Sequence, residues 1–93
     1  RLWMVTLFIL ELNHDINKNT HFREKCIDFL TTCEDELTLL HMLTTRSRIF
    51  NEQEIIILAL KLVKYGSPNT VRICASTSKA IPENLRIAMN NFS

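Results

Sequence analysis

The chain contains almost no residue that interrupts a helix. Among its 93 residues there is one glycine, Gly66, and there are two prolines, Pro68 and Pro82. An all-β domain needs tight turns about every 8 to 12 residues, and those turns depend on glycine, as do the loops that cradle phosphates. The scarcity of both residue types therefore predicts an all-α fold.

Length and composition restrict the chain to one compact domain or about two units of a repeat. Hydrophobic residues make up 46% of it and charged residues 23%, which is typical of a globular protein and not of a disordered or collagen-like one. We expect a single all-α domain over residues 1–93. Because the chain begins with Arg1 rather than methionine, we also expect it to be a segment of a longer protein.

The first helix is apolar on almost every side. Large apolar residues recur at spacings of 3, 4, 3 and 4, and we expect this face to point inward: Leu2, Val5, Ile9, Leu12 and Ile16. Most of the other side is also apolar: Trp3, Met4, Leu7, Phe8 and Leu10. Such a helix is either central in the fold or lacks a neighbour that another chain or segment supplies.

Two further helices are predicted in the first half. Asn19 or Thr20 caps the second helix. Its expected inner face consists of Phe22, Cys26, Phe29, Leu30 and Cys33. The pairs Thr31 with Glu34 and Thr32 with Asp35 resemble capping boxes and start a third helix near Glu34, which closes around residues 45–50. Its expected inner face consists of Leu37, Leu40, and Met42 or Leu43.

Three more helices are predicted in the second half. Asn51 with Glu54 opens the fourth helix, and Gly66 ends it in a left-handed conformation. Ser67 and Pro68 supply the cap and first position of the fifth helix, whose inner residues are Val71, Cys74, Ala75 and Ser78. Pro82 stops that helix and begins a sixth. The expected inner residues of the sixth helix are Leu85, Ala88, Met89 and Phe92.

The two halves of the chain are similar to each other at offsets of 48 to 50 residues. In each half an apolar helix precedes a capped helix with an apolar-arginine pair, Phe22-Arg23 or Val71-Arg72. Residues 1–50 and 51–93 are therefore candidate repeat units.

The run Gly66-Ser67-Pro68, followed by Val71-Arg72 and Ala75 between apolar helices, resembles armadillo or HEAT helical repeats. The three-helix grouping favours armadillo. The resemblance implies about six short antiparallel helices stacked as two α-solenoid units, which bind other proteins and carry no chemistry of their own. The ladder of tryptophan and asparagine in peptide-binding armadillo proteins has no counterpart, since the single tryptophan, Trp3, lies in an apolar run.

Candidate catalytic and metal-binding patterns have simpler explanations. Ser76 and Lys79 form a Ser-x-x-Lys pattern without the accompanying motifs of penicillin-recognising enzymes. The potential metal ligands lack chelating spacing: His14, His21, His41, Cys26 and Cys33. The acidic run 34–36 complements the positive end of a helix dipole. We expect no enzymatic activity, no metal and no cofactor.

Cysteine content and hydropathy indicate an intracellular protein. The three cysteines, Cys26, Cys33 and Cys74, are an odd set in a chain long enough to form a core, which favours reduced and buried thiols. The apolar start of the chain is shorter than the roughly 20 residues of a membrane span. We expect a cytoplasmic or nuclear protein.

Two surfaces are candidates for binding a partner. Trp3, Met4, Phe8 and Leu10 either fold into the core or bury against a preceding repeat, a protein partner or a second copy. The halves also differ in charge, since residues 1–45 hold four basic and seven acidic residues and residues 46–93 hold seven basic and three acidic ones.

The basic residues of the second half include a possible stripe, interrupted by Pro82: Lys61, Lys64, Arg72, Lys79 and Arg86. The favoured prediction is a non-enzymatic interaction module or scaffold segment that uses the apolar first helix and the charged faces. The alternative is a small helical domain that binds nucleic acid through the basic stripe.

Overall fold

The computed structural model describes residues 2–16 and 19–93, including every side chain in these ranges except those of Asp15 and Ile16. The described chain is all-helical and has no β-strand, which confirms the predicted class. Its α-helices are α1 (Leu2–Ile16), α2 (Thr20–Leu30), α3 (Glu36–Thr44), α4 (Glu52–Tyr65), α5 (Pro68–Thr77) and α6 (Glu83–Asn90). A short 3-10 helix, Ser47–Ile49, connects α3 to α4.

The chain forms two compact units. Residues 1–33 make up unit 1, which contains α1 and α2, and residues 34–93 make up unit 2, which contains the remaining helices. The boundary does not coincide with the one expected between repeat units, at residues 50 and 51. The repeat units stay a prediction.

Unit 1 is an antiparallel pair of helices. Near the start of α1, the Trp3 ring stacks on Phe29 with ring centroids 6.5 Å apart. Near the end of α1, the Asn13 side-chain amide donates to the carbonyl oxygen of Asn19 over 3.3 Å. These contacts join opposite ends of the two helices, because Phe29 lies in the last turn of α2 and Asn19 caps its first turn.

The predicted inward face of α1 is wrong. Leu2, Val5, Ile9 and Leu12 are exposed, and the side chain of Ile16 lies outside the described part of the chain. Leu7 and Leu10 are the buried apolar residues of this helix. Trp3, Leu7 and Leu10 recur at spacings of 4 and 3, which is as helical as the predicted stripe. Periodicity cannot choose between two apolar faces, and contacts with another helix decide.

The second helix follows its prediction in part. Asn19 is the cap, and its side-chain oxygen accepts from the backbone N–H of Phe22 over 3.0 Å. Cys26, Leu30 and Cys33 are buried as expected, together with Ile27, which was not predicted. Phe22 and Phe29 are each 38% exposed, which corrects their placement on the inner face.

In unit 2, α3 contacts both α4 and α5, and α5 contacts α6. The core of unit 2 takes buried apolar side chains from each of its helices and from the loop positions 50 and 81. These residues are Leu39, Met42, Leu43, Ile49, Phe50, Ile55, Leu58, Ala59, Leu62, Val71, Cys74, Ala75, Ile81 and Met89.

Polar contacts connect α3 to α5 at both ends. The Glu36 carboxylate accepts from the Ser67 backbone N–H at 2.5 Å and from the Thr70 hydroxyl at 2.9 Å. At the other end the buried Ser78 hydroxyl donates to the Leu43 carbonyl oxygen over 2.6 Å. The start of α3 therefore contacts the start of α5, and the end of α3 contacts the end of α5, so the two helices run parallel.

Helix α3 begins later than predicted. Asp35 is its cap and accepts from the backbone N–H of Thr38 over 2.9 Å. The hydroxyls of Thr31 and Thr32 donate back to the carbonyl oxygens of Asp28 and Phe29 in the last turn of α2. On the predicted inner face, Leu37 is exposed and Leu40 is half-buried, which corrects both positions, whereas Met42 and Leu43 are both buried.

Two of the three predicted starts in the second half are confirmed. Asn51 and Glu54 form a reciprocal capping box at α4. Ser67 caps α5, and Pro68 occupies its first turn. The predicted inner residues of α5, Val71, Cys74, Ala75 and Ser78, are all buried.

Gly66 does not adopt the predicted left-handed conformation. Its φ is −94° and its ψ is 166°, which is extended backbone open to any residue. Glycine is needed here for space. A Cβ atom at this position would lie 2.7 Å from the Leu62 carbonyl oxygen and 2.9 Å from the Leu62 Cδ1 atom.

Pro82 acts differently from its prediction. A proline disfavours helix at the residue before it, which is Ile81, but α5 already ends at Thr77. Pro82 therefore does not stop α5. It is the N-cap of α6 and not the first residue of that helix. Of the predicted inner residues of α6, Met89 is buried, Leu85 and Phe92 are half-buried, and Ala88 is exposed.

The cap of α3 gives a pH-dependent prediction. The Thr38 hydroxyl, followed by the Thr38 backbone N–H, holds the pKa of Asp35 below its usual value. The folded pKa is lower than the unfolded one, so the contribution of Asp35 to stability is present above about pH 4 and is lost as pH falls through the folded pKa. Asp35→Asn keeps an acceptor for Thr38 but does not titrate.

We expect the native chain to lose more free energy of unfolding than Asp35→Asn when the pH falls from about 5 to about 2. Urea denaturation followed by circular dichroism measures this difference. At neutral pH, Asp35→Ala should cost about 1 kcal/mol. Identical pH profiles for the native chain and Asp35→Asn would contradict the assigned cap.

Gly66→Ala tests the close approach at the end of α4. Since the new methyl group would meet a backbone oxygen, we expect the free energy of unfolding to fall by about 1 to 3 kcal/mol. The control is Asn69→Ala at a nearby exposed position, which should change it by less than about 0.5 kcal/mol. Equal effects of the two substitutions in thermal or urea unfolding would show that Gly66 is not sterically required.

Candidate functional site

The most unusual surface of the molecule is the outward face of α1. We define it by its six exposed side chains: Leu2, Met4, Val5, Phe8, Ile9 and Leu12. They are between 41 and 69% exposed. Every exposed side chain that the structure describes in α1 is therefore a large apolar one. An ordinary surface helix has charged or polar residues on this side.

The predicted partner-binding residues of α1 lie on different sides of the helix. Met4 and Phe8 belong to the outward face. Trp3 is half-buried beneath the Phe29 ring, with its indole nitrogen 3.5 Å from the Thr32 hydroxyl. Leu10 is fully buried, which corrects its placement on a partner surface. It lies two positions after Phe8, and a helix turns such a neighbour to nearly the opposite side.

Sequence reasoning missed the other four residues of this surface. The sequence predicts an inward face made of Leu2, Val5, Ile9 and Leu12. Their spacing correctly identifies one apolar face of the helix, but that face is exposed and not buried. Val5, Phe8, Ile9 and Leu12 occupy positions i, i+3, i+4 and i+7, the spacing with which a helix inserts its anchors into a groove.

A second apolar surface lies in unit 2, in a groove between α4 and α6. We call it the α4–α6 groove; it has a volume of about 400 Å³ and is lined by Ile56, Leu60, Pro82, Asn84, Leu85 and Ala88. Asn84 is the single polar residue of this lining. The sequence predicts that Leu85 and Ala88 are core residues, but they line one wall of this groove. The opposite wall contains Ile56 and Leu60, whose spacing of one helical turn on α4 is visible in the sequence.

The predicted basic residues do not form a row of free cations. Arg72 donates to the carbonyl oxygen of Phe92 over 2.6 Å, and Arg86 forms an ion pair with Glu83 at 2.7 Å. The ammonium groups of Lys61 and Lys64 lie 5.5 and 5.2 Å from the centre of the Tyr65 ring. Lys79 is exposed.

The cysteine thiols are placed as core residues. Cys26, Cys33 and Cys74 are buried thiols outside any disulfide, as expected. Burial raises the pKa of Cys74 to about 11 and also raises the pKa of Cys26. A thiol needs a lowered pKa to react as a thiolate, so these two are unsuited to nucleophilic chemistry at neutral pH.

Ser76 and His41, which belong to the candidate catalytic and metal-binding patterns, form hydrogen bonds or close contacts within their own helices or with the residue next to the helix. The Ser76 hydroxyl donates to the Ile73 carbonyl oxygen over 3.0 Å. His41 is half-buried, and its Nδ1 atom lies 3.1 Å from the Thr45 hydroxyl, while its Nε2 atom is buried without a hydrogen-bond partner. Among the described residues, no group of three histidine, cysteine or acidic side chains is arranged to hold a metal ion.

Within residues 2–16 and 19–93, no helix combines the length and the apolar character needed to cross a bilayer.

The two sides of α1 should respond differently to substitution. Leu10→Ala removes a fully buried side chain, and we expect it to lower the free energy of unfolding by about 2 to 5 kcal/mol. Phe8→Ser alters a side chain that is 60% exposed, so the expected change is below about 0.5 kcal/mol. Denaturation at low protein concentration, where association contributes little, measures both. A cost for Phe8→Ser as large as that for Leu10→Ala would contradict the assignment of the two faces.

Comparisons with known proteins give no relative from which to transfer a function. No protein-family model, curated protein or solved structure matches the chain. The resemblance to armadillo and HEAT repeats stays a prediction, and the two apolar surfaces are the features on which a proposal can stand.

Proposed function

We propose that this chain is a non-enzymatic interaction module that binds protein through the outward face of α1. The single observation that carries the proposal is that all exposed side chains described in α1 are large and apolar. Monomeric proteins rarely leave a contiguous apolar patch of this kind open to water unless it is an interaction site.

The size of the surface allows it to supply a large part of a binding free energy. Six half-exposed apolar side chains on one helix face present on the order of 500 Å², the upper range of the largest patch on an ordinary monomer. At about 25 cal/mol per Å², covering it contributes on the order of 10 kcal/mol before the costs of association are subtracted. Those costs are about 4 to 15 kcal/mol, so this face needs a complementary surface and some help from neighbouring contacts to bind tightly.

We further propose that the helices belong to an α-solenoid of the armadillo or HEAT type. Contacts in unit 2 support this architecture, since α3 contacts α4, α5 contacts α6, and the first helices of the two pairs run parallel in contact. The motif behind the resemblance also has structural roles, because Ser67 caps α5 while Val71 and Ala75 are buried. Helices in a solenoid need a neighbour on each side, which is what α1 lacks on its outward face.

The pairing in unit 2 differs from the three-helix grouping that favoured armadillo. Glu36 and Pro68, the first residues of α3 and α5, are 32 positions apart, compared with offsets of 48 to 50 between the similar halves. Two-helix units are the HEAT grouping, and on this ground alone we favour HEAT-like stacking for unit 2, since the 32-residue spacing is shorter than the roughly 40 to 47 residues of a HEAT unit.

The setting that we propose is the cytoplasm or nucleus. All three cysteines are buried thiols outside any disulfide, whereas a secreted chain of this size commonly uses cysteines in disulfides. Binding of nucleic acid is the less favoured alternative, because Arg72 and Arg86 already contact a backbone carbonyl oxygen and a glutamate, and a phosphate would have to compete with these partners.

Photo-crosslinking in the cells that produce the protein tests the proposal. A photoreactive amino acid replaces Met4, at the edge of the outward face, or Leu37, which is exposed on α3 without belonging to this face. We expect the probe at position 4, but not the one at 37, to give discrete crosslinked proteins that mass spectrometry identifies, further copies of this chain included.

The same experiment contains its control. Val5→Glu together with Leu12→Glu places two charges on the outward face, so the crosslinks from position 4 should be lost while helix content is kept. Crosslinks that survive these substitutions, or that are the same from positions 4 and 37, would overturn the proposed function.

A further inference from the structure

The turn that follows α2 presents an exposed threonine hydroxyl directly ahead of a run of carboxylates. Thr32 is exposed, and residues 34–36 are glutamate, aspartate and glutamate. We propose that Thr32 is an acceptor for a protein kinase directed by acidic residues, and that a phosphate on it loosens the start of α1 from the end of α2. This inference goes beyond the proposed function, because it requires no partner for the outward face of α1.

The charges that follow Thr32 distinguish it from most hydroxyl residues of the chain. In the sequence, only Thr31 and Thr32 have an acidic residue within the next three positions. Thr32 has Glu34 at the second position and Asp35 at the third. Kinases select substrates partly by charge patterns, so a kinase whose peptide groove is basic is complementary to the segment that follows Thr32.

The backbone around Thr32 is suited to entering such a groove. Residues 31–35 lie between the end of α2 and the start of α3. The side chains of Thr32, Glu34 and Asp35 are all exposed, whereas that of Thr31 is half-buried. Of the two threonines, Thr32 is therefore the accessible acceptor.

The transfer itself requires this hydroxyl, the kinase and a nucleoside triphosphate. The Thr32 Oγ1 atom forms a bond to the γ-phosphorus of ATP, the bond from that phosphorus to the leaving ADP oxygen breaks, and the hydroxyl proton passes to the catalytic base of the kinase. In the unmodified chain this hydroxyl donates to the Phe29 carbonyl oxygen over 2.6 Å. The phosphorylated oxygen carries no proton, so this hydrogen bond is lost.

A phosphate at this position lies in an unfavourable electrostatic environment. It carries a charge of about −1.5 to −2 at pH 7. Thr32 closely follows the last turn of α2, where carbonyl oxygens form the negative end of the helix dipole. Residues 26–45 contain four acidic residues and neither lysine nor arginine. Repulsion therefore disfavours the present turn, and no lysine or arginine of this segment offsets it.

The same hydroxyl adjoins the contact that joins α1 to α2. The indole nitrogen of Trp3 lies 3.5 Å from the Thr32 Oγ1 atom, and the Trp3 ring stacks on Phe29. A phosphate that disturbs the last turn of α2 therefore acts on both partners of Trp3. We expect the start of α1 to separate from the end of α2, so that one covalent modification controls the packing of unit 1.

Treatment of the full chain with a kinase tests the acceptor. The chain is incubated with ATP and an acid-directed casein kinase, and mass spectrometry of its peptides locates the phosphate. We expect one phosphoryl group per chain, on Thr32. Glu34→Gln together with Asp35→Asn should lower the rate of phosphorylation about tenfold, because two exposed charges that the kinase binds are removed.

The chain contains a matched control at the end of α3. Thr45 is also exposed just after a helix, but Arg46 and Arg48 follow it. Thr45→Val should therefore leave the incorporation of phosphate unchanged, whereas Thr32→Val should abolish it. The assignment is overturned if no phosphate is incorporated, if it is found on Thr31 in place of Thr32, or if Thr45 is modified as readily as Thr32.

Tryptophan fluorescence tests the effect on α1. Trp3 is the single tryptophan of the chain, so its emission reports on this contact. Phosphorylation should shift the emission to longer wavelength and increase its quenching by acrylamide, because the half-buried indole becomes more exposed to water. Treatment with a phosphatase should reverse both changes.

Thr32→Val separates the effect of charge from the loss of the hydroxyl. The substitution removes the hydrogen bond to Phe29 without adding a charge, so its shift in emission should be smaller than that of the phosphorylated chain. An unchanged emission in the phosphorylated chain would show that the modification does not act on α1. Equal shifts in the phosphorylated chain and in Thr32→Val would contradict the electrostatic cause.

Discussion

The contact on which unit 2 most depends is that of the Glu36 carboxylate with the start of α5. One of its oxygens accepts from the Ser67 N–H and the other from the Thr70 hydroxyl. The start of a helix carries unsatisfied N–H groups and a partial positive charge, so a carboxylate is stabilising there. Together with the Ser78 contact at the other end, it holds α5 parallel to α3. Helix α6 packs on α5 and α4 packs on α3, so this alignment sets the groove between α4 and α6.

The close approach at Gly66 belongs to the same contact. A Cβ atom there would meet the Leu62 carbonyl oxygen and would lie 3.4 Å from the Glu36 Oε1 atom. Glycine thus lets the chain turn from α4 into α5 directly beside the carboxylate. Its role is to leave space, although the sequence suggested a role in backbone conformation.

The two exposed apolar surfaces follow from an excess of apolar residues that their own units do not bury. Helix α1 has a buried side with Leu7 and Leu10 and an exposed side with Phe8 and Leu12. In unit 2, Leu60 and Ala88 are exposed along the groove. Unit 1 therefore exposes an apolar helix face and unit 2 an apolar groove.

Most of the helix starts were predictable from the sequence, whereas most of the inward face of α1 and of α3 was not. Asn19, Asn51 and Ser67 cap their helices through bonds to an N–H three residues away, and such local interactions are visible in the sequence. The sequence offers Thr31, Thr32 and Asp35 as possible caps near the start of α3, and Asp35 is the cap. The hydroxyls of the two threonines donate to carbonyl oxygens in α2. No local sequence pattern distinguishes these possibilities.

The sequence by itself determined the class of fold, the positions of the helices within about two residues and the burial of the thiols, because breakers, caps and apolar spacing act over one or two turns. Only the tertiary structure decided which side of α1 faces water and that α4 and α6 leave a groove. Both depend on contacts between residues far apart in the chain, such as Trp3 with Phe29 and Glu36 with Thr70. Helical periodicity identifies an apolar face but not the helix that covers it.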